Sequence, residues 1–347
     1  MIQFELASID QISSRMKTFA HMDALADLPE YFEADVENGL GGKSGFPFKA
    51  AVFNMEQGTR LDKIIPFFRH HPKLQNVDII LANELDYGMK RSGNLHTTKE
   101  LGKALGMNYA YGIEFITTKY KQNGDSQALH GNAILSKYPL YDVKLVHLPI
   151  EHEWYNMPND SRLGVRMAVM AKIQPEPGRE VGIVSVHLEN RATPEGRKRQ
   201  LIYLLEQVQA HFGRLPVLIG GDMNTNTVDG DAPGSMDVFL QNEAEQQRRM
   251  KIIPQLEPLM DCVKDYGYSY EDCNIMIKPT RRKPMPDGST ILLNLDWFFQ
   301  KGLNCSKPER VETLLHLNEL VNAPDALLQH DGFELSDHDA ITVEVTF

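Results

Sequence analysis

Nine short apolar runs, separated by helix-like stretches, dominate the chain: residues 49–55, 77–83, 109–115, 132–135, 165–173, 181–188, 216–220, 291–299 and 340–345. Runs of this length, bounded by polar turns, read as buried strands. Between them, Leu61–His70 and Pro194–Phe212 carry apolar residues at helical spacing, with Leu201, Leu204, Leu205 and Val208 on one face of the second. A weaker helical pattern runs from 236 to 250. Strands interleaved with helices restrict the fold to the α/β class, with helices covering sheets. Residues 119–127 and 278–289 are polar, hold Gly or Pro, and read as surface loops.

Residues 1–47 are helix-like and end in a cluster of Gly39, Gly41, Gly42, Gly45 and Pro47, which reads as an N-terminal helical extension to one domain over 48–347. No apolar run reaches the ~18 residues of a membrane span, and Glu5, Asp10, Arg15 and Lys17 interrupt the first segment. The three cysteines, Cys262, Cys273 and Cys305, lack metal-ligand spacing and read as reduced thiols, hence a cytoplasmic protein. A net charge of -11 argues against non-specific nucleic-acid binding and leaves room for a local basic cleft.

The chemical signal lies where the runs end. Asn54 closes the first and Glu84 follows the second. His187 sits near the end of the sixth, Asp222 and Asn224 follow the seventh, Asp296 interrupts the eighth, and Asp337 and His338 precede the last. Polar residues at strand ends gather on one rim of a sheet, where a rigid scaffold holds them. Oxygen donors without clustered thiolates favour Mg²⁺, with Mn²⁺ as the alternate ion, over zinc. Two imidazoles beside carboxylates supply a proton acceptor and donors for a phosphate ester undergoing hydrolysis.

Bland readings stand beside these. Asn54 also fits a turn, His187 a core histidine, and Asp222-x-Asn224 an Asx turn. Glu84 is harder to explain away, since a carboxylate after a buried run is costly unless paired or bound to a cation. Asp296 inside an apparent strand likewise has no ordinary structural use.

The segments FNMEQG (53–58), ANELD (82–86), HGNAILSKYPL (130–140), SVHLENR (185–191), GGDMNT (220–225), NLDWFF (294–299) and LSDHDAI (335–341) resemble, in order, the endonuclease/exonuclease/phosphatase superfamily of divalent-metal phosphoesterases. The resemblance covers residue 48 to the C-terminus. It implies a four-layer α/β/β/α sandwich, two mixed β-sheets face to face with helices outside. It also implies metal binding at Asn54 and Glu84 with Asp337 nearby, and water positioned or deprotonated by Asp222 with help from Asn224. Asp296 would pair with His338, and His187 and His338 would donate to phosphate oxygens. Asn132, Arg162 and Arg281 are the candidate substrate contacts. Phe53 and Asn83 depart from the family pattern only beside the ligands, whereas His187 stands where abasic-DNA repair members carry Tyr, which weakens a repair role.

The expected activity is Mg²⁺-dependent hydrolysis of a phosphate monoester or diester in a small molecule, lipid or nucleic acid, with oligomeric state open. A nuclease on the same scaffold and a non-catalytic binding module are the alternatives. Arg197–Arg199 read as a solvated helix face, Arg281–Lys283 as either a loop cluster or a phosphate contact, and Trp154 and Tyr155 as ordinary surface aromatics.

Overall fold

The computed structural model describes residues 25–240, 243–285 and 288–347. Two mixed sheets form its centre. The first has the order β1 (Asp35–Glu37), β4 (Asn108–Thr117), β5 (Leu129–Ser136), β3 (Ile79–Tyr87), β2 (Phe48–Asn54), β15 (Ala340–Thr346), β14 (Asn304–Val311), with β7 (Arg162–Gly164) also paired to β4. The second has the order β13 (Asp296–Lys301), β10 (Val217–Asp222), β9 (Arg179–His187), β8 (Met167–Glu176), β6 (Tyr141–His147). A two-stranded ribbon, β11 (Arg281–Pro284) and β12 (Thr290–Leu293), stands apart.

Strand alternation assigns the layers, because successive side chains point to opposite faces. Ala50, Val52, Ile79 and Leu81 of the first sheet meet Met167, Val169, Ile183, Leu218 and Phe298 of the second in a shared core. Their neighbours Ala51, Phe53, Ile80 and Ala82 face outward, onto Ile64, Phe67 and Phe68 of α1 (Leu61–His70) and Leu101 of α2 (Thr97–Leu105). On the far side, Val184, Val186, Ile219 and Trp297 meet Leu201, Leu204 and Leu205 of α3 (Pro194–Phe212) and Leu259 and Val263 of α4 (Leu259–Asp265). This is the α/β/β/α sandwich. Thr193 caps α3, its hydroxyl accepting from the Gly196 N–H at 3.0 Å, with Pro194 at the first helical position.

Gly220 sits at a close approach of the two sheets. A Cβ there would lie 2.6 Å from Val52 Cγ2 and 2.7 Å from Leu81 Cδ1, so no larger residue fits without separating the layers.

Several expectations need correction. Of the expected N-terminal helical extension, residues 1–24 lie outside the described residues. The remainder is part of the sandwich: Tyr31 is fully buried and donates to the Glu114 carbonyl at 3.0 Å, and β1 pairs with β4. The run 291–299 is two strands of different sheets, so Asp296 begins a strand and does not interrupt one. Residues 236–250 hold two short helices, Asp237–Leu240 and Glu243–Lys251, and the loop 278–289 contains β11. Among the described residues no helix is long and apolar enough to cross a membrane.

Candidate active site

Topology gathers the polar strand ends. β2 runs parallel to β3 and β9 parallel to β10, so each pair presents its C-terminal end to one rim. β15 is antiparallel to β2 and β13 to β10, so these two contribute their starts to the same rim. The register is tight: Asp222 lies directly beside His187 on one flank and Asp296 on the other. Glu84 falls in a β-bulge between Ala82 and Leu85, with φ of 55°, which turns its carboxyl out of the ladder.

Around Asp222 the groups converge. The Asn54 amide donates to Asp222 Oδ2 and to Glu84 Oε1, each at 3.1 Å. His187 Nε2 lies 3.6 Å and His338 Nε2 3.7 Å from the same Asp222 oxygen. His338 Nδ1 is 2.8 Å from Asp296 Oδ2, which also accepts from the Thr280 hydroxyl at 2.6 Å. The Asn224 backbone N–H donates to Asp222 Oδ1 at 2.9 Å, and its side-chain amide donates to the Leu188 carbonyl. Asp337 borders the group, with Oδ1 3.9 Å from His338 Nε2.

The electrostatics follow from this packing. Burial would raise the Glu84 carboxyl, but the charge of His187 and then His130, with the Asn54 hydrogen bond, brings it down to about 2. Burial would lower His338, yet Asp296, Asp222 and Asp337 push it up to about 10. The surrounding carboxylates thus favour the charged form of His338, while burial pushes up the Asp296 carboxyl that shares the pair.

Beneath the rim lies a network that was not legible as a motif. Arg166, 5% exposed, bonds Glu114 Oε1 at 2.6 Å and Glu189 Oε2 at 3.1 Å. Arg166 Nη1 is 3.0 Å from His187 Nδ1. Asn83 links the sheets: its amide donates to Asn132 Oδ1 and the Val186 carbonyl, and its oxygen accepts the Asp222 N–H at 2.9 Å. On the Glu84 side, His130 Nδ1 lies 2.8 Å from Asp86 Oδ1, and Arg91 grips the same carboxylate with two nitrogens at 2.8 and 2.9 Å. Glu114 was open to discovery by the reasoning used for Asp296, because a carboxylate inside the apolar run YGIEFI demands a partner.

The expected substrate contacts divide. Asn132 is fully buried and donates to Glu114 Oε2 at 3.1 Å, which makes it a support under the site and corrects its expected role as a contact. Arg162 lines a cavity beside Glu84, and Arg281 lies at the rim, bonded through Nε and Nη2 to Asp337 Oδ2 at 3.1 and 2.9 Å. Trp154 is not a surface aromatic: it is 5% exposed and its indole N–H donates to Glu189 at 2.8 Å. Arg197 leaves the solvated face expected for it, being fully buried against Glu257 at 2.6 Å.

The donor set suits a hard divalent cation. Asp222, Asp296 and His338 bring ligand-type atoms within 4.8 Å of one another, but the 2.8 Å contact of His338 Nδ1 with Asp296 Oδ2 already ties this group together, which leaves the neighbouring carboxylate of Glu84 and the amide of Asn54 as the oxygen donors for a cation. Oxygen donors predominate, with Asn54 and Glu84 alongside.

A model of the Endonuclease/Exonuclease/phosphatase family matches residues 51–249, and the chain belongs to this family of phosphoesterase- and nuclease-type hydrolases. Solved structures agree on the fold. An endonuclease/exonuclease/phosphatase from Beutenbergia cavernae is 15% identical with a TM-score of 0.53, covering 87% of this chain and 72% of its own. The human Nocturnin catalytic domain with bound sulfate is 14% identical with a TM-score of 0.52, covering 91% of this chain and 98% of its own. A mannosyl-6-phosphatase from Bacteroides thetaiotaomicron is 14% identical with a TM-score of 0.52, covering 86% and 100%. A search of curated proteins finds no match.

Proposed function

We propose that the chain is a Mg²⁺-dependent hydrolase of phosphate esters, with Mn²⁺ as an alternate ion, in which water attacks the phosphorus directly. The observation that carries this reading is the convergence of Asn54, His187 and His338 on one oxygen of Asp222 within 3.1–3.7 Å, behind which Asp296 holds His338 at 2.8 Å. A buried imidazole between two buried carboxylates, Asp222 and Asp296, is the kind of cluster that active sites hold, which favours an enzyme over a binding module.

Asp222 is the acceptor for the water proton and holds the water in line with the leaving alcohol. Its own position is fixed by the Asn83 oxygen on its backbone N–H and by the Asn54 amide on its carboxylate. As the new P–O bond forms and the ester P–O bond breaks, negative charge grows on the phosphate oxygens. His338, charged and oriented by Asp296, donates to them from Nε2. His187 turns Nε2 towards the same oxygen of Asp222, 3.6 Å away, with Nδ1 3.4 Å from Glu114 Oε2, and is the second donor. Asn224 steadies the Asp222 carboxylate through its backbone N–H, and Arg281 at the rim contacts the bound phosphate. Asn54, Glu84 and Asp337 would hold the divalent cation, which when bound supplies Lewis-acid polarisation of a phosphate oxygen.

The net charge of -11 favours small-molecule or lipid esters over nucleic acid, and the free thiols fit the cytoplasm. The catalytic domain takes in residues 48–347 together with the segment 25–47, whose strand β1 completes the edge of the first sheet. The test is hydrolysis of p-nitrophenyl phosphate, bis(p-nitrophenyl) phosphate, plasmid, abasic duplex and single-stranded oligonucleotide, with Mg²⁺ and with chelator. Mg²⁺-dependent release from one of the nitrophenyl esters, abolished by chelator and restored by added metal, is expected. Preferential cleavage of a nucleic acid overturns the substrate assignment, and inertness towards the whole panel overturns the activity.

A further inference from the structure

A cavity of about 130 Å³ is lined by Arg91, Arg162, Arg166, His130 and Trp154 together with the carboxylates Glu84 and Asp160. It is smaller than the ~300–1,000 Å³ of a drug-sized ligand site and suits a single polar group. A larger cleft of about 560 Å³ shares Arg91 with it and adds Lys90 and Lys119, leaving space for the rest of a ligand.

The three arginines differ in how far their charge is already satisfied. Arg166 is enclosed by Glu114 and Glu189, and Arg91 is gripped by Asp86. Arg162 is the exception. Its guanidinium stacks 4.0 Å from the Trp154 ring and 4.8 Å from Phe115, and its Nε is buried with no hydrogen-bond partner among the described residues. Its Nη2 reaches the carboxylate of Asp160, a side chain 60% exposed. An exposed pair of this kind contributes little, whereas a phosphate engaging an aromatic-clamped guanidinium with two oxygens binds far better. Asp160 thus occupies the place of an incoming anion. His130 also lines the cavity, its Nδ1 2.8 Å from Asp86 Oδ1.

We propose that this cavity is a second anion subsite. Arg162, its guanidinium 4.0 Å from the centre of the Trp154 ring, binds a second phosphate of the substrate, so the preferred ligands are bisphosphates of small alcohols. Which of their esters is cut rests on the hydrolase reading above; the subsite itself does not.

Calorimetry separates the two. Binding of glucose 6-phosphate and glucose 1,6-bisphosphate is measured in Mg²⁺ on the Asp222→Asn protein, and phosphate release from both is measured on the unmodified chain. The bisphosphate is expected to bind at least tenfold tighter than the monophosphate. Adding Arg162→Gln should bring that ratio to within twofold, Arg162→Lys should keep part of it, and Asp160→Asn should increase it by removing the competing carboxylate. Equal binding of the two sugars in the Asp222→Asn protein overturns the subsite, as does a ratio that Arg162→Gln leaves intact. Discrimination in binding by a chain that is inert towards both sugars and the whole ester panel above overturns the hydrolase reading and leaves the subsite standing.

Discussion

His338 and His130 each present Nδ1 to a buried carboxylate at 2.8 Å, Asp296 in one case and Asp86 in the other. Their surroundings differ. Among the described residues Asp296 has one further side-chain hydrogen-bond partner, the neutral Thr280 hydroxyl. Asp86 is already matched by Arg91 and also accepts from Ser92. Beyond the rings, His338 faces Asp222, whereas His130 faces the arginine-lined cavity. The same two-residue unit is therefore turned towards a carboxylate at one site and towards a group of arginines at the other.

Substitutions on the two sides test that contrast. Asp222→Ala and His338→Ala should each lower kcat by ~10³-fold or more with the fold intact by circular dichroism. Near-full turnover in either purified protein contradicts the proposed roles. Asp296→Asn should cost on the order of 10²–10⁴-fold in kcat, since it removes the charge that holds His338 protonated. Asp86→Asn should cost about tenfold or less on p-nitrophenyl phosphate. Equal losses for the two Asp→Asn changes would erase the distinction between the pairs.

The smallest effect is on stability. Burial raises the Glu189 carboxyl, but Arg166 and the Trp154 indole lower it further, leaving it below the usual carboxylate range. A carboxyl whose folded pKa lies below its unfolded value, about 4.3, stabilises the fold fully above that pH and loses this contribution as pH falls towards the folded pKa. Glu189→Gln should thus be less stable by about 1–3 kcal/mol at pH 7. The gap to the unmodified protein should narrow as urea titrations move from about pH 5 to pH 3. Parallel stability curves would show that Glu189 carries no such charge.

Much of the rim was readable because polar residues stood out against apolar strands: Asn54, Glu84, His187, Asp222, Asp296 and His338 all lie together. The supporting network was not, because Glu114, Arg166 and Glu189 belong to separate segments and their pairing is a property of the folded sheets. Arg197 misled for the same reason, its partner Glu257 lying 60 residues on. Strands β6 and β14 escaped notice because each is half exposed at a sheet edge and mixes charged with apolar residues, blurring the two-residue period. The short ribbon β11 was hidden by its arginines.

The amide of Asn83 has a mechanical consequence. Asn54, Glu84 and His338 ride on one sheet and His187, Asp222 and Asp296 on the other, and apolar side chains alone would let such sheets shift slightly past each other. A single carboxamide that grasps the Val186 carbonyl with one end and the Asp222 N–H with the other acts as a dowel between two plates. Sliding by even an ångström breaks both bonds, so the spacing between the halves of the rim is fixed by hydrogen-bond length and not by the looser fit of greasy surfaces.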